Sequence, residues 1–254
     1  MSELEQEVPV RDAMDGGFAV VDRERLIEEE TRVRTPWYKH FINSMIAPTK
    51  MMEENFEHEP VRGMSVAVVG ILVFTILTLF LQHANPSIRQ LAYDMLRTGG
   101  VEEDMIHQQY MVKLVVSGLV SVIGIFFSVF ILTIILQILK AIAKDKCKFA
   151  SLFTMMLVCY NVYLGVQVID NLAANMLGVS RTVLNVGSFF SAEALAASSK
   201  LSSITLGLSL GEALRFIYMI IGYKILTHVS TKKAIMVCSI FELITIGCMI
   251  LFAR

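Results

Sequence analysis

Proline is scarce in this 254-residue chain, with five in all, at Pro9, Pro36, Pro48, Pro60 and Pro86. Everything beyond Pro86 therefore lacks the one residue that breaks a helix by removing its backbone donor. Cysteine is sparser still. Cys147, Cys159, Cys238 and Cys248 include no C-x-x-C pair, and three of the four sit in apolar runs. Free thiols are expected, not a disulfide framework. A basic stripe with interleaved aromatics is missing, which excludes a nucleic-acid partner. Met1–Pro9 is acidic and has no apolar stretch, so no cleavable signal peptide is expected. Charge is also missing from long segments, and these absences define the molecule. Leu114 to Leu139 reads LVVSGLVSVIGIFFSVFILTIILQIL, without one ionisable side chain.

A hydrocarbon core of roughly 30 Å needs about 20 apolar residues at 1.5 Å rise, so this run is long enough to span. It ends on Lys140, Lys144, Lys146 and Lys148, which the positive-inside rule holds in the cytoplasm. What is present is correspondingly divided. The hydrophobic fraction is 55%, concentrated after Met64. Residues 1–63 carry fourteen acidic and eight basic side chains, net −6, and residues 64–254 carry net +5. The predicted fold class is all-α, a polytopic membrane protein with five transmembrane helices and amphipathic interfacial helices. The spans are expected at about 64–82, 111–139, 149–170, 201–228 and 234–253. Basic loops at 140–148 and 224–233 place the N-terminus in the cytoplasm and the C-terminus outside, in the plasma (inner) membrane.

Residues 1–34 offer little apolar surface and read as a disordered acidic tail. Thr35-Pro36 looks like a cap followed by proline at the first helical position. The apolar positions Trp37, Tyr38, Phe41, Ile42, Met45 and Ile46 then recur at helical spacing, and this helix is expected to lie in the interface, with Trp37 and Tyr38 at headgroup depth. A second short helix is expected from Thr49 to His58. Its Glu53, Glu54, Glu57, His58 and Glu59 match no metal-ligand spacing and read as a solvated face. Asn85-Pro86 restarts a helix with an apolar stripe at Ile88, Leu91, Ala92, Met95 and Leu96, closed by Gly99-Gly100. It is placed on the outer surface. Residues 171–200 read as a long outer connection, with a short helix in Ser191–Ser199.

Two stripes of small residues stand out. Ser117, Ser121, Gly124 and Ser128 share one face of the second span, and Ser203, Gly207 and Gly211 step by four in the fourth. Such faces let another helix approach closely, from a partner membrane protein or from a second copy of this chain. GLSLG (Gly207–Gly211) matches the G-x-S-x-G nucleophile elbow, a motif that works only where a strand-to-helix turn exposes the serine. Here it is expected inside an apolar helix, and His228 lies too far along that helix to serve as a base. Ionisable and polar groups inside spans are the better functional signal: Glu212, Arg215 and Glu242, with Asn161 mid-membrane. Arg215 lies nine residues before Lys224 and Glu242 nine after Lys233, so the two are expected at one depth on antiparallel neighbours. Glu212 shares the guanidinium one turn away. Asp170 reads as a hydrated residue at the outer boundary.

The proline-containing amphipathic stretch IAPTKMMEENFEHEP, the five spans, the short basic loop and the Phe-rich start of span three, KCKFASLFTMMLVCYNVYLG, together resemble the Yip domain. That family comprises Ypt/Rab-interacting membrane proteins and their prokaryotic relatives, and the resemblance covers about residues 36–253. The chain departs from it in having KDKC where a glycine pair often stands, no proline within span three, and no DLYGP-like signature in the tail. The last departure favours the prokaryotic branch. The resemblance implies a non-enzymatic membrane adaptor or assembly factor, with a transporter complex or a GTPase-type protein as partner and no cofactor. The alternative is a transporter or ion-coupled permease subunit that uses the acidic spans. The lack of proline in the later spans argues against it.

Overall fold

The chain divides into two units, Met1–Pro36 and Trp37–Arg254. The computed structural model describes residues 36–46, 49, 52–53, 60–179, 183–190, 205 and 208–252, and the expectations for the acidic tail, most of Thr49–His58, Ser191–Ser199, Ser203, Gly207 and Arg254 fall outside them. The second unit is helical: α1 (Trp37–Ile46), α2 (Pro60–Ala84), α3 (Pro86–Thr98), α4 (Ile106–Ile142), α5 (Phe149–Leu177), a 3₁₀ turn (Val186–Phe189), α6 (Leu210–Thr227) and α7 (Thr231–Phe252). No strand is present among the described residues. Three helices, α2, α4 and α5, are long and apolar enough to cross a membrane. This is a membrane protein. The other two long helices carry charge, with Glu212, Arg215 and Lys224 in the 18 residues of α6, and Lys232, Lys233 and Glu242 in α7.

Local signals set the boundaries. Asn85 caps α3 through its side-chain oxygen, which accepts from the amides of Ser87 at 2.9 Å and Ile88 at 3.3 Å, and Pro86 takes the first helical position. Gly99 closes the helix and Gly100 adopts φ 81°, where an L side chain is strained. No residue of α3 is buried, and Leu91 and Met95 lie exposed on its apolar stripe. Gly178, at φ 66°, ends α5 in the left-handed conformation that favours glycine. α5 thus runs seven residues past the expected boundary at Asp170.

Helix α5 is the hub. Of its most apolar window 56% is buried, against 28% for α2 and 17% for α4, because α2, α4 and α6 all pack on it while α7 packs on α6 and α4. Methionines fill much of this core: Met52, Met155, Met156 and Met219 are all fully buried. The unbranched thioether adapts to irregular gaps. At Gly222 of α6 an added Cβ would stand 2.7 Å from Met155 Cγ and 2.9 Å from Met52 Sδ, so the missing side chain is what lets those methionines in.

Polar contacts tie the helix ends into two layers. At one end Asn175 Nδ2 donates to the Leu81 carbonyl at 2.8 Å, Asn85 Nδ2 to Val179 at 2.9 Å and Ser87 Oγ to Gly178 at 2.8 Å. There the C-termini of α2 and α5 meet. At the other end the α4–α5 turn meets the α6–α7 turn. Asp145, its side chain only 3% exposed, ion-pairs with Lys233 and accepts from the Tyr223 hydroxyl at 2.8 Å, while Lys233 Nζ also donates to Ala143 at 2.9 Å. The expected basic loops therefore lie together on one side. Lys140 is buried and donates to the Cys147 carbonyl at 2.8 Å, closing the turn.

Two expectations are corrected. The fourth span does not run as one helix from Leu201: residues 208–209 are non-helical and α6 begins at Leu210. Ser209 pairs with Asn185 in an antiparallel bridge, closed by Val186 N to Leu208 O and Leu210 N to Leu184 O, both 3.1 Å. Asp170 is not a hydrated boundary residue. It is buried, and Oδ1 accepts from the amides of Val183 at 2.6 Å and Leu184 at 2.8 Å, folding the connection back over the helix ends. Helix α1 also packs against α2. Phe41 is half-buried with its ring 5.7 Å from Phe74 of α2, a contact that docks α1 on the bundle, while Tyr38 stays exposed. The Trp37 side chain lies outside the described residues.

Candidate functional site

The start of α6 builds the site. Ser209 takes an extended conformation (φ −101°, ψ 159°), and its Oγ accepts from the Glu212 amide at 3.1 Å. Ser-x-x-Glu is the capping-box spacing, a signal present in Ser209-Leu210-Gly211-Glu212 that explains why the helix starts here and not at Leu201. The serine is consequently the cap of a helix, not an interior packing residue. Glu212 sits in the first turn, where the positive end of the helix favours a carboxylate. Gly211 is buried, with an added Cβ placed 3.0 Å from the Tyr163 ring, so α6 approaches α5 closely at this point.

One turn on, Arg215 is 4% exposed and bonds to both carboxylates: Nε to Glu212 Oε2 and Nη2 to Glu242 Oε1. The structure thus brings together the three residues whose depths match in the sequence. Because α6 starts at Leu210, Arg215 lies only about 8 Å along the helix from its N-terminus and about 18 Å from its C-terminus at 1.5 Å rise. Glu212 and Arg215 thus sit toward the end of α6 opposite the basic turns, and Glu242 meets them from the middle of α7. The side chains of Glu242 and Glu212 are 15% and 24% exposed. Arg215 Nη1 and Glu242 Oε2 are buried with no hydrogen-bond partner. Burying an ion pair costs several kcal/mol per ion unless further hydrogen bonds satisfy it, so this cluster is incompletely satisfied within the chain.

Asn161 does not join it. Its Nδ2 donates to the Ala67 carbonyl at 2.8 Å across the α2–α5 contact, and it is seated over Gly70, where an added Cβ would stand 2.7 Å from Asn161 Oδ1. An intramembrane amide finds a backbone carbonyl as readily as a charged group once a glycine brings the helices close. The α4 stripe also behaves differently from a packing face of this chain. Ser117, Ser121, Gly124 and Ser128 are exposed, and nothing lies within 4 Å of a Cβ at Gly124. The glycine that does pack is Gly118, against Leu79 of α2.

A cavity of about 810 Å³ opens beside the triad. α4 contributes Ser128, Ile131 and Leu132 to its wall, and α5 Tyr160 and Tyr163. The Val186 turn, the start of α6 with Glu212 and Arg215, and Glu242, Thr245 and Ile246 of α7 complete it. No group of metal-ligating side chains is found among the described residues. The tyrosine rings lie 5.4 Å apart, and the Tyr163 hydroxyl accepts from Gln167 at 2.6 Å. An apolar wall with a few convergent polar groups is the usual constitution of a ligand cleft. No protein-family model, curated protein or solved structure matches this chain.

Proposed function

We propose that this chain is a five-span, non-enzymatic membrane adaptor or assembly factor of the Yip type, which binds other membrane proteins through α4. The observation that carries this reading is the uncovered small-residue face of Ser117, Ser121 and Gly124. It lies on the longest helix, which of the three helices long and apolar enough to cross a membrane is the one least buried by its own chain. In hydrocarbon, helices associate by close backbone approach, which such a face permits. The capping role of Ser209 supports the non-enzymatic reading, since its oxygen already accepts the Glu212 amide. The five-span count is supported by the alternating direction of the helices. α6 and α7, at 18 and 22 residues, are about 27 and 33 Å long, close to a roughly 30 Å hydrocarbon core. With the basic turns inside, the N-terminus is cytoplasmic and the C-terminus external, in the plasma membrane.

The test is purification of the full chain from its native membrane, intact and as Gly124→Phe. The expected result is a stoichiometric membrane-protein partner that the variant loses while the bundle stays folded. The same partner complement in both samples would refute the α4 interface. One observation favours a permease as the second reading: the buried charges open on a cavity. Substrate flux in proteoliposomes of the pure chain would establish it in place of the adaptor.

A further inference from the structure

The cavity beside Arg215 is lined by one guanidinium and two carboxylates, so with both carboxylates ionised its wall carries one uncompensated negative charge. Among the described residues no second cation lines it: α4 brings Ser128, α5 brings Tyr160 and Tyr163, and α7 brings Glu242 and Thr245. The remaining lining is mainly aliphatic or aromatic, and its volume lies within the roughly 300–1,000 Å³ range of small-molecule sites. Three features of the wall favour the same chemistry. The excess carboxylate attracts positive charge in a medium of low dielectric, where the attraction is least screened. Tyr160 and Tyr163 bring two aromatic rings to the wall, and cations bind over such rings most strongly when desolvated. The apolar remainder, with Ile131, Leu132 and Phe216, accepts a hydrophobic body and rejects a hydrated inorganic ion.

We propose that this cleft binds a lipophilic monocation, its apolar body between α4 and α7 and its charge between Tyr160, Tyr163 and the carboxylates of Glu212 and Glu242. Both carboxylate residues line the cavity, and Glu212 is the more exposed of the two. The inference is independent of the adaptor reading, because the cleft is formed within one chain while the proposed partner face runs along α4 toward Ser117.

The probe is tetraphenylphosphonium, a permanent cation on an apolar body, with tetraphenylborate as the anion of matching shape. Binding is measured by equilibrium dialysis on the full chain in phosphatidylcholine nanodiscs, against empty discs, which account for partition into lipid. The expected result is saturable binding of one phosphonium per chain, no competition by the borate, and at least tenfold weaker binding in Glu242→Gln and in Glu212→Gln. Ala213→Phe fills the cleft from an exposed position and leaves the triad intact. It should abolish binding. Absence of saturable binding above empty discs overturns the proposal, as does equal binding of the borate or unchanged binding in Ala213→Phe. Should either carboxylate variant fail to reconstitute, the borate comparison and Ala213→Phe, checked for folding by gel filtration and circular dichroism, decide the matter.

Discussion

Arg215 is the residue whose removal has the most to reveal. Taking it away strands two carboxylates in a largely apolar setting, and breaking a buried pair from one side costs about 3–5 kcal/mol. Arg215→Leu should therefore sharply lower the folded yield in detergent. Arg215→Leu with Glu242→Leu should recover a large part of it, because the double change removes one of the stranded charges. Strictly additive effects in that cycle, read by fluorescence-detected gel filtration, would show that the two residues are not coupled. This pairing was legible in the sequence because charges in apolar runs are few and the hairpin fixes their depth. Asn161 was misassigned on the same reasoning. Its partner is the Ala67 carbonyl, and a backbone acceptor leaves no mark in a sequence. Asp170 escaped for a related reason, since it serves the amides of a loop thirteen and fourteen residues further on.

At the scale of elements, apolar run length found α2, α4, α5 and α7 but misplaced the start of α6. Residues 201–208 carry no charge and run without interruption into the helix that follows, so hydropathy does not mark the break. The Ser-x-x-Glu cap at Ser209 does, a signal that overlaps GLSLG, whose glycines also fit a packing face or a nucleophile elbow. Ser209→Ala should cost about 1 kcal/mol, the usual value of a lost N-cap, measured as a fall in thermal stability. The contact between α2 and α5 depends on Gly70. Gly70→Ala places a methyl against the Asn161 amide and should destabilise by about 1–3 kcal/mol as an overpacked site. Pairing it with Asn161→Ala, which clears the space, should restore part of the loss. A Gly70→Ala variant as stable as the parent in chemical denaturation would mean that the helices separate freely there.

For the whole molecule, the two turns joined through Asp145, Lys233 and Tyr223 give a direct measure of sidedness. Cys147 lies in one of these turns and is half-buried, and burial raises its thiol pKa above the ordinary value, with Lys140 opposing and Asp145 adding to the shift. A raised pKa leaves less thiolate at neutral pH, so alkylation should be slow at neutral pH and accelerate as the pH is raised. In a Cys248→Ser background, which removes the exposed cysteine, a membrane-impermeant maleimide should label Cys147 from the cytoplasmic side only. Labelling from the outside would invert the proposed topology.

The triad also constrains how such a chain enters a bilayer. In the proposed five-span arrangement α6 would have to leave the translocon carrying Glu212, Arg215 and Lys224 before Glu242 has been made. A charged residue opposes insertion by about 2.5–3.5 kcal/mol at a span centre and by less toward the ends, so Arg215 bears part of that cost, which Glu212 offsets incompletely. Arg215 acquires its second carboxylate only when α7 arrives. The last two helices would then partition into lipid as a hairpin, not one after the other. A chain stopped at His228 should leave α6 accessible to protease in microsomes, whereas one extended through Phe252 should protect it.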